Sequence, residues 1–470
     1  MSDARRGGNL MWQPSDERCR QTTLHRYTQW LAAESGLHFS GYDDLWNWSV
    51  TDIDAFWASL WDFFDIRVHR PYDRVLDSRG VEGARWFAGS ELSYAEHVFR
   101  GKRDDAIALV HMSELRSRRE TTWGELRALT ARIASALRAV GVERGDRVVA
   151  YLPNIPEAVA GFLASASIGA VWSSCSPDFG ARSVVDRFAQ ISPKVLLAVD
   201  GYRYGGRDFD RLETLAEVRR EIPGLQEIVV LPYLRPRLAR SELAGMTTWD
   251  SFLARGDRAE LSFEPLPFDH PLWVLYSSGT TGLPKAIVHG QGGILLEHLK
   301  TLHLHMDAQP GNRLFWFTTT GWMMWNLLVG GLLTDAAIVL YDGSPGYPDM
   351  GVLWDLAEAT RMTCFGTSAA LISASMKGGI VPRAGRDLSA LRSVGSTGSP
   401  LSADGFRWIY DHVGEDTWLF SMSGGTDVCS AFVGGVPTLP VYEGELQARA
   451  LGAKVEAFDE HGRPLVGEVG

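Results

Sequence analysis

Cysteine is scarce in this chain of 470 residues: four occur, at 19, 175, 364 and 429, all far apart. That spacing excludes a disulfide scaffold and a Cys-rich zinc site, and it fits a reducing cytoplasm. No long uninterrupted apolar run is present. The longest, Leu327 to Tyr341, is broken by Thr334 and Asp335 and falls short of the ~20 residues that span a bilayer. Met1 to Glu17 has no apolar h-region, so a secretory signal peptide is not expected. A basic stripe is missing too, and the net charge of -11 repels a nucleic-acid backbone. With 49 Gly and 21 Pro but no repeat and no low-complexity tract, the chain is neither collagen-like nor broadly disordered. The partners expected are therefore small molecules, with no nucleic acid and no membrane; nothing in the sequence speaks to oligomeric state. An acidic total still permits an anionic ligand, because glycine-rich loops bind phosphate through backbone N–H groups.

What the chain does have is tryptophan: 17 residues, seven of them in the first 90. Ile53, Phe56, Trp57, Leu60, Trp61 and Phe64 fall on one face of a helix, which predicts an amphipathic helix docked on a larger body. From Thr122 the texture alternates. Thr122 and Glu125 form a capping-box signature ahead of a helical run that stops at Gly141. Strands are expected at Val148 to Leu152, Val171 to Ser174 and Val195 to Val199, with helices at Pro156 to Ala170 and Ala181 to Ile191 between them. Such alternation is the signature of a helix-covered parallel sheet. Residues 201–270 read as a connecting region. A second series follows, with strands near 273–276, 314–318, 337–341, 391–394 and 418–421, and after Gly444 the period changes to two, as in a hairpin or barrel. The expected fold is α/β: two helix-covered, mostly parallel sheets plus a β-rich, barrel-like subdomain. The expected segments are an aromatic helical extension (1–105), a first α/β subdomain (106–270), a second carrying the nucleotide motifs (271–443), and the start of a barrel (444–470).

The most informative segment runs from Leu275 to His289. It places Ser277, Ser278, Thr280 and Thr281, with Gly279, Gly282 and Lys285, between two apolar β-rich runs. Glycines let backbone N–H groups close around an anion, hydroxyls add donors, and the lysine adds a point charge. The spacing is not that of a Walker loop, and a strand rather than a helix is expected after the lysine. The competing reading, a plain polar hairpin, does not need four hydroxyls and two glycines.

Ser277 to Lys285 resembles the phosphate loop of the acyl-adenylate-forming superfamily: acyl-CoA synthetases, peptide-synthetase adenylation domains and luciferases. Two further segments stand in the order that family requires. Gly395 to Leu401 resembles the strand and turn that hold adenine, at Gly398, Ser399 and Pro400. Ser423 to Asp427 resembles the segment whose threonine, here Thr426, touches the α-phosphate and whose acidic residue holds magnesium. The family generally has Glu where this chain has Asp427, a shorter carboxylate that still binds Mg²⁺ directly or through water; the structural alternative for Asp427 is a helix cap. Within the superfamily, Thr318 to Asn326, Leu45 to Ser49 and Ser421 to Asp427 are most similar to the group that activates acetoacetate.

The resemblance implies an AMP-forming acid–thiol ligase that uses ATP, Mg²⁺ and CoA, with Thr280, Lys285 and Thr426 as catalytic residues. Acetate-activating relatives carry Trp where this chain has Gly424, so removal of an indole is expected to open the acyl pocket. Trp322, Met323 and Met324 are its candidate wall, with plain core as the alternative. Gly201 to Arg207 resembles the loop in which two arginines, here Arg203 and Arg207, hold the 3′-phosphate of CoA; solvated surface arginines are the alternative. The family's ribose-binding aspartate, hinge and catalytic lysine would lie after Gly470, so the chain reads as the large N-terminal portion of a longer enzyme, inactive alone. Two other readings remain: a ligase for propionate, butyrate or 3-hydroxybutyrate, and a non-catalytic nucleotide-binding module. Histidines 298, 303 and 305 lack metal-ligand spacing, His289 reads as a packed polar residue, and Gly366 to Ala369 falls short of a nucleophile elbow.

Overall fold

The computed structural model describes residues 7–470 apart from 79, 81, 244, 257–259 and 279–281. Contacts divide the chain into two units, one of Ile66–His298 with Pro310–Leu353, the other of Met1–Asp65 with Leu299–Gln309 and Trp354–Gly470. The chain leaves and re-enters each unit, a division that segments read in sequential order do not anticipate.

In the unit containing Ile66–His298, a seven-stranded sheet runs in the order 247–248, 227–231, 195–199, 147–151, 171–175, 271–277, 285–290. All neighbours are parallel except the last pair. Val171–Cys175 and Val195–Val199 are buried along their whole length, as strands covered on both faces must be. The helix Pro156–Ser167 buries every residue except Glu157. The helix Trp123–Ala139 opens with the expected capping box, Thr122 Oγ1 accepting from the Glu125 N–H at 3.2 Å and Glu125 Oε2 accepting from the Thr122 N–H at 2.8 Å.

Residues 201–270 are more than a connection. They supply the hairpin Gly201–Tyr204/Arg207–Asp210, the helix Leu212–Glu221 and two strands of the sheet, Glu227–Leu231 and Thr247–Thr248. The Glu-Ile-Val-Val-Leu run is short and flanked by Arg- and Pro-rich turns, which masks its β character. The same unit holds a second set of strands in the order Arg313–Trp316, Ile107–Ser113 separated from it by Ala337–Asp342, and then Arg119–Thr122, with only the last pair antiparallel.

In the other unit, Cys364–Ser368, Ser393–Thr397 and Trp418–Ser421 are adjacent parallel strands. The first of these includes the segment rejected as a nucleophile elbow; two small residues, Gly366 and Thr367, hide its β pattern. The helices Thr23–Ser35, Tyr42–Thr51 and Ile53–Phe63 share one core with Leu304, Val436 and Leu451. Leu10–Trp12 pairs with Val441–Tyr442. After Gly444, Ala448–Arg449 joins Ser430–Gly434, and Ala457–Phe458 pairs with Pro464–Leu465 around the expected turn. Among the described residues these form a ribbon and a hairpin. The aromatic helix is thus docked as its apolar face requires.

Candidate active site

The segment singled out first is the loop of an antiparallel pair. Pro271–Ser277 and Lys285–Gly290 are paired in register, Ser277 opposite Lys285, so the strand expected after the lysine is present. That register places Lys285 and Ser277 opposite one another at the mouth of the loop. Ser278, Gly282 and Lys285 are exposed. Gly279, Thr280 and Thr281 lie outside the described residues. Below the loop the stem is anchored: the Tyr276 hydroxyl donates to Arg187 O at 2.8 Å, and burial pushes the phenol well above its ordinary range. His289 ends the stem in the packed role expected, accepting the Trp273 indole N–H at Nδ1 over 3.1 Å.

The helix Met323–Gly330 begins directly after Trp322 and sorts its aromatic and sulfur side chains by depth. Met324 and Trp325 are core, and the Trp325 indole donates to Asn154 Oδ1 at 3.0 Å. Trp322 is 41% exposed, and Met323 is half-buried. Of the three residues expected to wall a pocket, Met324 is thus part of the core, as the alternative reading had it, while Trp322 and Met323 are not.

The hairpin Gly201–Asp210 presents the other candidate cations. Arg203 binds Asp208 twice, Nε to Oδ1 at 2.6 Å and Nη2 to Oδ2 at 3.1 Å. Arg207 is exposed and makes no ion pair among the described residues.

In the second unit, two motifs meet at the carboxyl ends of adjacent parallel strands. Gly395 pairs with Phe420 and Ser396 with Ser421. The Met422 N–H then donates to Ser396 O at 2.9 Å, and the Thr397 hydroxyl donates to Met422 O at 2.9 Å. The turn Gly398–Pro400 and the segment Ser423–Asp427 therefore leave the sheet laced together, at the end where open α/β sheets bind ligands. Ser423–Gly425 runs antiparallel to Ser430–Gly434, and Thr426 and Asp427 sit in the connecting turn, closed by the Cys429 N–H donating to Gly425 O at 3.0 Å. Asp427 is exposed and no helix begins there, so it caps none.

Gly424 is crowded by the neighbouring strand. A Cβ at this position would lie 1.9 Å from Ser430 O and 2.7 Å from the Ala431 Cα. The glycine makes room for the neighbouring strand, and an indole here would require a different ribbon. Sequence reasoning saw the residue change but not the backbone crowding that accompanies it.

The rejected histidines have structural partners. His305 Nε2 accepts the Leu451 N–H at 3.2 Å, so Nδ1 carries the proton toward Gly435 O at 3.0 Å. His303 packs on Phe64, and His298 is buried beneath Gly330. Among the described residues no group of three or more His, Cys, Asp or Glu could hold a metal. Among the described residues no helix is long and apolar enough to cross a membrane.

Missed by sequence were Thr397, quoted within a motif but given no task, and Glu114. The Glu114 carboxylate accepts from residues 91, 92 and 230 positions away, a separation no local pattern reveals.

Residues 96–470 match the AMP-binding enzyme family, and residues 42–98 match the acetyl-coenzyme A synthetase N-terminus. The chain belongs to the AMP-binding enzyme family. Among its relatives, an acetoacetyl-CoA synthetase of Gallus gallus is 44% identical over 469 residues, covering 98% of this chain and 70% of the relative. The acetoacetyl-CoA synthetase of Rhizobium meliloti (strain 1021) is 43% identical over 461 residues with the same coverage. A malonamoyl-CoA synthetase of Penicillium aethiopicum is 38% identical over 487 residues, 98% of this chain and 67% of that one. In structure, the chain is similar to acetoacetyl-CoA synthetase from Streptomyces lividans, with a TM-score of 0.93, 52% identity, and coverage of 98% of this chain and 71% of that one.

Proposed function

We propose that the protein activates acetoacetate with ATP and transfers it to CoA, as an AMP-forming acid–thiol ligase. The acid's carboxylate attacks the α-phosphorus of ATP, pyrophosphate leaves, and an acyl-adenylate forms. The CoA thiol then attacks the acyl carbon, and AMP departs with the electron pair of the broken anhydride bond. The observation that carries this reading is the lacing of Gly395–Pro400 to Ser421–Asp427 through Thr397 and Met422. It ties the turn Gly398–Pro400 to the segment that carries Thr426 and Asp427, and such fixed geometry is what lets an enzyme stabilise charge without reorganising. Lys285, exposed opposite Ser277, supplies a mobile cation for the phosphates. A carboxylate is a poor nucleophile, so these groups act by orienting it and offsetting charge.

Asp427 is a single exposed carboxylate, a donor set that fits a Mg²⁺ arriving on ATP phosphates, since that ion needs only one or two protein carboxylates. When bound, the ion would neutralise phosphate charge at the turn that carries Thr426.

The substrate assignment rests on the relatives, because Gly424 is committed to its strand. Acetoacetate and malonamate have the same shape and both carry a carbonyl β to the carboxylate, so a recognised β-carbonyl is the shared chemistry. Pyrophosphate release by the full-length protein is measured across acetoacetate, malonamate, 3-hydroxybutyrate, butyrate, propionate and acetate. We expect acetoacetate first and the two β-carbonyl acids ahead of butyrate. Acetate leading would overturn the substrate assignment, and ATP binding with no acid-dependent release would point to a nucleotide-binding module.

A further inference from the structure

We propose that Glu114 is the positioning residue of the CoA-nucleotide hairpin, an inference that rests on the reading of Gly201–Arg207 as that hairpin. The hairpin follows the strand Val195–Val199 at its carboxyl end. In the strand order, 147–151 has 195–199 on one side and 171–175 on the other, so the connections diverge there. Open α/β sheets bind ligands outside such a switch point.

A two-stranded hairpin on its own is marginally stable, and its arginines are useful only if the turn is held still. Glu114 holds it. Its Oε1 accepts from the Gly205 N–H at 2.8 Å and from the Ser344 N–H at 2.8 Å, and its Oε2 accepts from the Gly206 N–H at 2.7 Å. One carboxylate therefore ties the hairpin turn to the loop after the strand Ala337–Asp342. Gly343 permits the approach, since a Cβ there would lie 2.9 Å from Glu114 Cγ. The tied loop brings Tyr347 against the turn: a Cβ at Gly206, whose φ is +74°, would lie 2.7 Å from its ring. Tyr204 and Tyr347 are left 45% and 44% exposed, offering apolar faces beside Arg207. The negative charge of Glu114 is spent on backbone donors, so it does not oppose an incoming phosphate at full strength.

A second tie runs parallel. The Asp200 carboxylate, fully buried, accepts from the Tyr233, Leu234 and Arg235 N–H groups, and the Tyr233 hydroxyl donates to Asp342 Oδ2 at 2.8 Å. That brace does not touch Gly205 or Gly206, which leaves the turn itself to Glu114.

The test is calorimetric binding of CoA, 3′-dephospho-CoA and ATP to the wild-type protein and to Glu114→Gln, Glu114→Asp and Arg207→Ala, with thermal melts. Glu114→Gln keeps the shape but turns an N–H₂ toward a backbone N–H. We expect it to weaken CoA about tenfold, to shrink the preference for CoA over dephospho-CoA, and to leave ATP binding unchanged; Glu114→Asp should recover part of the loss. Arg207→Ala should abolish the preference. If Arg207→Ala weakens CoA while Glu114→Gln binds it as wild type does, or if Glu114→Gln weakens ATP equally, the positioning role is overturned. If Arg207→Ala leaves CoA and the preference untouched, the hairpin reading falls and takes the proposal with it.

Discussion

The loop between Ser277 and Lys285 and the turn holding Thr426 and Asp427 are built on opposite terms. The loop is the end of an edge hairpin, and the cation it carries, Lys285, is an exposed side chain. The turn closes a ribbon whose strands approach so nearly that one position admits no Cβ at all. A site made of side chains can be disarmed without being unfolded. A site made of backbone proximity cannot.

Substitutions should separate the two. Gly424→Ala forces a methyl into Ser430 O and the Ala431 backbone; the expected result is a fall in adenylation of about a hundredfold or more together with a stability loss of about 3 kcal/mol, read by pyrophosphate exchange and denaturant melts. A variant that melts as wild type would show that the ribbon has slack. Lys285→Ala should lower adenylation by about ten- to a hundredfold while moving stability by no more than about 0.5 kcal/mol, because the side chain is exposed. Equal damage to stability would erase the contrast.

The strand-end ties sharpen the comparison in each unit. Burial lifts the Asp342 carboxyl from 3.8 to about 7 despite the hydroxyl of Tyr233 that donates to it. A carboxyl raised in the folded state favours folding below its unfolded value, and that advantage is lost as pH rises from 3.8 toward 7. Asp342→Asn, which keeps an acceptor for Tyr233, should therefore melt several degrees above wild type at pH 8, with the gap closing toward pH 4. A constant gap would show that the group does not titrate in that window. Thr397→Val removes the hydroxyl bond to Met422 O, with an expected cost of about 1 kcal/mol and a few-fold rise in KM for ATP. The smallest effect is Thr122→Ala at the capping box, about 1 kcal/mol of stability with kinetics unchanged.

How much of this was legible follows from what sequence patterns record. Val195–Val199 and Trp418–Ser421 were readable to the residue because apolar runs bounded by polar turns have no other comfortable place. Cys364–Ser368 was not, since Gly366 and Thr367 break the apolar pattern in a strand buried along most of its length. At the candidate site, Lys285 opposite Ser277 could be expected from a strand, a loop and a strand in succession. Thr397 could not, because its partner Met422 is 25 residues away. Gly424 shows the sharper limit: the letter was read as an absence of side chain, while the fold uses it as a presence of backbone.

The pairing of Leu10–Trp12 with Val441–Tyr442, and the bond from the Tyr42 hydroxyl to Arg449 O across 407 residues, set an order of events during synthesis. The helices that carry Trp46, Phe56 and Leu60 emerge first, but the residues that complete their core, Val436 and Leu451, emerge hundreds of residues later. At ~5–20 residues per second, an aromatic-rich segment waits roughly 20–80 s on the ribosome before its own neighbours exist.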